Sequence, residues 1–198
     1  VAGLFHQMLN ISMFEKPVTD FVTATAHPNL SLLASHPELA ELMVKLEARY
    51  KMFKLRDALE QLDGDFDEIW IDTPPALNFY TRSALIAANR CLIPFDCDSF
   101  SRHALLGLID SVGEIRADHN SGLSVEGIVV NQFQPRASLP QRLVQELRDA
   151  GLPVLDPPLS ASVKIRESHE RSLPMVYLDA RHKLSQEFAA LYQTLRQS

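Results

Sequence analysis

An aspartate ends an apolar run in the stretch DEIWIDTPP, residues 67–75. The run Ile69–Ile71 stops at Asp72, and a threonine and two prolines follow at once. A carboxylate at the tip of a strand, beside a bound phosphate, is how nucleotide hydrolases hold Mg²⁺, usually through water. An aspartate close before proline is also common in turns, where its side chain caps the turn. The residues alone leave both interpretations of Asp72 open.

Two further apolar runs end in polar side chains. Asn131 follows a run that ends at Val130, and Asp96 and Asp98 follow the run Leu92–Phe95. In an open parallel α/β sheet, ligands bind beyond the carboxyl ends of the strands, so these positions are where a site is expected. Asp96 and Asp98 are interpreted here as solvated loop residues.

The apolar patterning predicts strands alternating with helices. The predicted strands are Leu30–Ala34, Glu68–Ile71, Cys91–Phe95, Val125–Val130 and Pro153–Leu155. The predicted helices are Pro37–Leu62 as one helix or two, Tyr80–Ala88, Phe100–Ala117, Ser138–Ala150 with Ser138 as its cap, Ser162–Arg171 and Leu184–Arg196. This alternation indicates an α/β fold, a mostly parallel twisted sheet with helices on both faces, in one domain over residues 1–198.

Composition excludes several classes of protein. The formal net charge of −6 argues against nucleic-acid binding over the whole surface, although a local basic patch is compatible with it. Two cysteines give no disulfide framework and favour a reducing cytoplasm. No apolar run approaches the roughly 18 residues that span a membrane. The seven histidines have no metal-ligand spacing.

Several motifs in the correct order resemble the ParA/Soj branch of the deviant-Walker ATPases, a P-loop family, across residues 28–198. These motifs are NLSLLAS, FDEIWIDTPP, RSALIAANR, CLIPFDCDSF, GIVVNQFQPRASLPQRLVQELR and VKIRESHERSLPMVYLDAR. By this resemblance, Asp72 matches the Walker B position, which holds the water shell of Mg²⁺. Thr73, Pro74 and Pro75 match the start of switch II, a segment that reports whether the γ-phosphate is present.

The same resemblance implies a binding site for the base of ATP. Asn131 matches a strand-end position that faces adenine in related ATPases. The loop 159–167, which includes Ser160 and Glu167, matches the segment that closes over the base. ATP and Mg²⁺ are therefore the expected cofactors.

The phosphate-binding loop of such ATPases, GxxxxGK[ST], does not occur in these 198 residues, because none of the seven glycines is followed by lysine. In the family this loop lies near the N-terminus, and here the first residue is Val1. We expect an N-terminally incomplete ATPase domain whose intact form hydrolyses ATP and whose 198-residue part is inactive. The alternative is a chain that lacks the loop naturally and acts as a protein-binding scaffold.

Basic residues are concentrated near the C-terminal part of the chain. In an otherwise acidic sequence they form either a solvated face or a patch for DNA phosphates, and Arg181 and Lys183 match arginines of a family motif. The candidate DNA-binding residues are Arg181, Lys183, Lys164 and Arg166.

The resemblance implies a function in plasmid or chromosome partition, or in cargo positioning, by a cytoplasmic, nucleoid-associated protein. The expected partners are a second copy in an ATP-bound homodimer, DNA bound without sequence preference, and a ParB-like activator. A MinD-like ATPase that cycles on membranes is the alternative, which requires a basic amphipathic helix. The final predicted helix has few cations, so we expect no membrane partner.

Overall fold

The computed structural model of the chain describes residues 2–9, 16–97 and 99–197. Its internal contacts divide into two compact units. The first unit is built from the described residues up to Asn89 and from Ile115–Leu123, and the second from the described residues within 90–114 and 124–198. The single domain over residues 1–198 stays a prediction.

The first unit is mainly helical. Its helices are α1 (Ala2–Leu9), α2 (Leu39–Ala48), α3 (Lys54–Leu59) and α4 (Phe79–Ala87), with 3₁₀ turns at Val18–Phe21 and Glu60–Leu62. Strands β1 (Thr23–Ala24) and β2 (Ser31–Leu32) pair antiparallel. Apolar residues three to four apart on α2, Leu42 and Leu46, pack with Phe5 and Phe79. This spacing places them on one face of the helix, which explains why α2 packs against α1 and α4.

The long predicted helix over 37–62 is broken in the structure. The break falls between Ala48 and Lys54, and Tyr50 lies there with a φ of 52°, in the left-handed region. A non-glycine residue in that region interrupts the helical hydrogen-bond ladder. The predicted strand Leu30–Ala34 shortens to Ser31–Leu32.

The strand prediction for Glu68–Ile71 is wrong. Residues 68–74 belong to no strand or helix, and the side chains of Ile69, Trp70 and Ile71 are exposed by 43%, 63% and 36%. The β-branched and aromatic residues of this segment suit the pleated, half-buried surface of a sheet, and the strand was predicted on that basis. A strand also requires a neighbour for its backbone N–H and C=O groups, and the described residues provide no strand that pairs with this segment.

The second unit contains the parallel sheet. Its elements are β3 (Arg90–Asp96), α5 (Ser99–Asp118, whose last turn belongs to the first unit), β4 (Ser124–Asn131), α6 (Ser138–Asp149), α7 (Lys164–Glu170), α8 (Met175–Leu178) and α9 (Lys183–Gln197). Strands β3 and β4 pair in parallel from Arg90 opposite Ser124 to Asp96 opposite Asn131. The predicted strands Cys91–Phe95 and Val125–Val130 are thus confirmed, and so is the α/β fold class.

Helices cover both faces of β4. Ile128 and Val130 belong to a core cluster with Leu105 of α5 and Leu147 of α6. The residue between them, Val129, packs against the cluster formed by α8, α9 and the loop before α7. Because successive side chains of a strand point to opposite faces, the two clusters lie on opposite sides of the strand.

The segment 153–155 approaches β4 closely enough to require a glycine there. The N–H of Ile128 donates to the carbonyl oxygen of Pro153 at 2.7 Å, and the N–H of Leu155 donates to Ile128 at 3.0 Å. A Cβ atom at Gly127 would lie 2.3 Å from Cγ of Leu155. The predicted strand Pro153–Leu155 is present as a single parallel bridge between Val154 and Ile128.

Gly127→Ala is therefore expected to destabilise the protein. Overpacking of this kind costs about 1–3 kcal/mol, since either Leu155 or the backbone of β4 must move. Chemical denaturation followed by circular dichroism measures the change. Gly107→Ala is the matched control, because nothing lies within 4 Å of a Cβ atom on this exposed residue of α5, and alanine favours a helix over glycine by about 1 kcal/mol. Equal destabilisation by both substitutions would contradict the steric argument.

Candidate functional site

Asp72 lies in an exposed segment of the first unit. Every residue from Asp67 to Leu77 is exposed, including Thr73, Pro74 and Pro75. The indole N–H of Trp70 donates to Glu68 Oε2 at 3.0 Å. The carboxylate of Asp72 is thus open to solvent at the entrance to the proline turn.

Helix α4 anchors the turn that follows Asp72. The Thr81 hydroxyl donates to the carbonyl oxygen of Ala76 at 2.7 Å and lies 3.4 Å from that of Pro74. Asn78 caps the helix, because its Oδ1 accepts hydrogen bonds from the N–H groups of Tyr80 and Thr81 at 3.0 and 3.2 Å. The prolines fix φ on one side and these hydrogen bonds hold the other. The chain therefore leaves Asp72 through a restrained turn.

Asn131 contacts Asp96 at the carboxyl ends of the two parallel strands. Its Nδ2 donates to Asp96 Oδ1 at 2.9 Å, and Gln132 Nε2 donates to Oδ2 at 3.3 Å. The interpretation of Asp96 as a loop residue is wrong, since it is the last residue of β3 and lies opposite Asn131. Asp98 lies outside the described residues. An ionised carboxylate only accepts hydrogen bonds, so this contact leaves Asn131 Oδ1, an acceptor, directed away from Asp96.

Ser160 and Lys183 meet at a carboxylate that the sequence did not suggest. The Ser160 N–H donates to Glu187 Oε2 at 2.8 Å, and its hydroxyl donates to Oε1 at 2.7 Å. Lys183 Nζ donates to Ser160 Oγ at 2.9 Å and lies 3.3 Å from Glu187 Oε1. The sequence could have indicated the contact between Lys183 and Glu187, because residues four apart are neighbours on a helix. The partner Ser160, 27 residues away in sequence, could not be found from spacing.

The Glu187 carboxyl has a shifted pKa. Burial raises this pKa. The hydrogen bonds from the Ser160 N–H and hydroxyl, followed by the hydrogen bond and positive charge of Lys183, lower it by more than burial raises it. The resulting pKa lies below the ordinary value of about 4.3. Glu187 is therefore an anion at neutral pH, and the contacts that stabilise its charge would be lost only as the pH falls through this lowered pKa.

Glu167 and Lys164 form ion pairs within and beside α7. Lys164 Nζ lies 3.4 Å from Glu167 and 3.9 Å from Asp179, and Arg171 lies 2.8 Å from Glu167. Arg166 and Arg181 are exposed. Ion pairs on a surface are weak and easily exchanged, so these cations remain accessible to an external anion.

The described residues contain no group of three or more His, Cys, Asp or Glu side chains that could hold a metal ion by themselves. Magnesium beside a nucleotide is held mostly by phosphate oxygens and water, with one or two carboxylates. The exposed carboxylate of Asp72 fits that requirement. In the same part of the chain, no helix has the length and apolar character needed to cross a membrane.

Comparison with known proteins identifies relatives over most of the chain. A family model described as an AAA domain matches residues 3–125. The chromosome partitioning protein ParA of Caulobacter vibrioides is 27% identical over 188 residues, which is 93% of this chain and 70% of ParA. The resemblance to ParA-type ATPases is thus confirmed.

Solved structures show the same fold. The cobyrinic acid a,c-diamide synthase of Mycobacterium smegmatis, solved with a bound ATP analog and magnesium, is 22% identical with a TM-score of 0.80 over 97% of this chain and 70% of its own. The cell division ATPase MinD of Pyrococcus furiosus is 20% identical with a TM-score of 0.74 over 98% and 75%. These similarities support the predicted P-loop-like architecture.

Proposed function

Because this chain belongs to the AAA domain family, we propose that it is part of a ParA-like ATPase that acts in plasmid or chromosome partition or in cargo positioning. The similarity to ParA supports the proposal. The structural observation that supports it is the exposure of three basic side chains of the second unit, Arg166, Arg181 and Lys183, beside a half-buried fourth, Lys164, in a chain whose formal net charge is −6. These four residues, Lys164, Arg166, Arg181 and Lys183, are here called the basic surface.

ATP and Mg²⁺ are the proposed cofactors. Asp72 would hold the water shell of the metal ion, which neutralises charge on the phosphates during transfer. Thr73, Pro74 and Pro75 would act as a switch, since the turn that they form is anchored through Ala76 to Thr81 of α4. A displacement of Asp72 or Thr73 would therefore reach α4 instead of being absorbed in a flexible loop.

Asn131, Ser160 and Glu167 are the proposed residues at the base of the nucleotide. The amide nitrogen of Asn131 donates to Asp96, so its carbonyl oxygen is the atom that we propose for contact with the nucleotide. An acceptor of this kind suits the exocyclic amine of adenine. Ser160 follows Leu159, whose N–H donates to the carbonyl oxygen of Val130 at 2.8 Å. This hydrogen bond holds the loop at the end of β4.

The basic surface is proposed to bind DNA phosphates without sequence preference. Each subunit offers about two to four such contacts, too few for tight binding to an acidic chain. An ATP-bound homodimer doubles the contacts, so nucleotide controls DNA affinity through pairing of subunits. A ParB-like activator would stimulate hydrolysis and release the dimer. The proposed location of the protein is therefore the cytoplasm, on the nucleoid.

The membrane-cycling alternative is less well supported by α9. A helix that binds a membrane surface needs its apolar face free, whereas Leu184, Leu191 and Leu195 are buried in the second unit. Arg196 is the basic residue in the last turn of the helix.

The test compares DNA binding in ATP and in ADP. The sample is a protein that joins this chain to a GxxxxGK[ST] loop, and the 198-residue chain is measured beside it. Fluorescence anisotropy with two unrelated duplexes at two salt concentrations should show equal affinity for both duplexes. Binding should occur in ATP only, and should weaken steeply with salt.

The 198-residue chain should bind DNA feebly and release no phosphate from ATP. Robust Mg²⁺-dependent hydrolysis by that chain would contradict the assignment of the catalytic loop. DNA binding that is equal in ATP and ADP would contradict the proposal that ATP raises DNA affinity by pairing two subunits. If the longer protein neither hydrolyses ATP nor binds DNA, the proposed function is contradicted and the scaffold alternative becomes the one to test.

A further inference from the structure

Three hydrogen-bond donors surround the carboxylate of Glu187. They are the backbone N–H and hydroxyl of Ser160 and the ammonium of Lys183. The side chain of Glu187 is only 12% exposed, whereas that of Lys183 is 68% exposed. The carboxylate is therefore enclosed, and the lysine approaches it from the solvent side.

Proteins bind phosphate and other oxyanions with converging donors such as backbone N–H groups, hydroxyls and ammonium groups. Here the anion is supplied by the protein itself. The lowered pKa of Glu187 agrees with this arrangement, since its contacts favour the charged form despite burial.

The same contact holds the loop before α7 between two elements. On one side, the N–H of Phe133 donates to Leu159 at 2.9 Å, and the N–H of Ala161 donates to Phe133 at 3.2 Å. On the other side, Ser160 is bound to Glu187 of α9. Loss of the Glu187 contact would leave the donors of Ser160 and Lys183 in place at the end of β4 but without their anion.

We propose that Glu187 is an internal anion that fills a phosphate-binding site made by Ser160 and Lys183. By filling this site it lowers the affinity of the basic surface for the phosphates of nucleic acid. The site itself is defined by the contacts of this chain, and its effect on nucleic acid rests on the proposed DNA-binding function. Glu187 acts through Ser160 and Lys183 and is a positioning residue.

Glu187→Gln tests the proposal. The amide keeps the size of the side chain but loses the charge, and its NH₂ group is a donor that opposes the donors of Ser160 and Lys183. Glu170→Gln is the matched control, because Glu170 is an exposed residue at the end of α7 and loses the same charge. The two variants therefore alter net charge equally and differ in the internal contact.

The first measurement needs no DNA. Amide hydrogen exchange and NMR titration with inorganic phosphate are carried out on the 198-residue chain. In the unmodified chain, phosphate should leave the Ser160 amide resonance unshifted, because its donors are occupied. Glu187→Gln should speed exchange at Ser160 about tenfold, the loss of one charge-assisted hydrogen bond, and phosphate should then shift that resonance. Glu170→Gln should do neither.

The second measurement is DNA affinity of the longer protein in ATP. Glu187→Gln should raise it about five- to tenfold, against less than about twofold for Glu170→Gln. Equal increases in both variants would overturn the proposal, because charge alone would explain them. A phosphate-induced shift in the unmodified chain would also overturn it. If Glu187→Gln creates phosphate binding while no variant binds DNA, the internal anion is supported and the DNA-binding function fails. Failure of Glu187→Gln to fold cannot mask the titration of the unmodified chain.

Discussion

Asp72→Ala is expected to lower ATP hydrolysis about 10- to 100-fold in a protein that joins this chain to a phosphate-binding loop. The exposed carboxylate would no longer orient the water shell of Mg²⁺, while the anchored turn behind it would be unchanged, since Thr81 and Asn78 make those contacts. Phosphate release at saturating ATP and Mg²⁺ measures the rate.

Asp67→Ala is the control for this substitution, because Asp67 is an exposed carboxylate in the same segment. It should hydrolyse ATP at close to the parental rate. If the two variants are equally active, Asp72 is only a turn residue, which is the other interpretation that the sequence allows. If both are equally impaired, the segment as a whole is disturbed and the specific role of Asp72 fails.

Charge reversal at Arg181 and Lys183 together is expected to abolish ATP-dependent DNA binding. Two cations lost from each subunit remove four phosphate contacts from a dimer. Because each contact adds about 0.9 to the slope of log affinity against log salt, this loss should reduce affinity about 100-fold or more. Gel-shift titrations at two salt concentrations give both the affinity and the slope.

The structure shows what this double substitution changes besides the surface charge. A glutamate at position 183 faces Glu187 one helical turn away, and Ser160 loses a contact with Lys183. ATP affinity must therefore be measured in the same samples. It should remain nearly unchanged, because the backbone hydrogen bond from Leu159 to Val130 still holds the loop that carries Ser160. Lys45→Glu with Arg82→Glu, at two exposed residues of the first unit, gives the same change in net charge. Equal DNA binding by the two double variants would show that Arg181 and Lys183 are a solvated face.

The parallel pair β3 and β4 could be predicted from the sequence because burial on both faces makes each strand a nearly continuous apolar run. The same reasoning failed for residues 68–71. Their composition is typical of a strand, but no strand among the described residues pairs with them. Ser138 was predicted as a helix cap, but it is the first helical residue and Ala137 occupies the cap position. Helix ends depend on one or two residues of local geometry, which patterning does not resolve.

The candidate site was only partly predictable. Asn131 lies at a strand end, as the apolar run before it indicated, but its partner Asp96 was assigned to a loop and is the last residue of β3. Glu187 could not be predicted as a site residue, because a carboxylate on a helix is ordinarily a surface residue. Its importance comes from a loop that folds back 27 residues earlier in sequence. Contacts of that kind are set by tertiary structure and leave no local pattern.

The exposed segment before Asp72 provides an optical probe. The chain has a single tryptophan, Trp70, two residues before Asp72 and 63% exposed. Its fluorescence therefore reports one location without any label. Because the indole of Trp70 is exposed to water, its emission should be red-shifted. A blue shift on addition of nucleotide, protein partner or DNA would mean that the segment beside Asp72 has become covered. Ordinary cuvette spectroscopy could thus follow the candidate switch in real time.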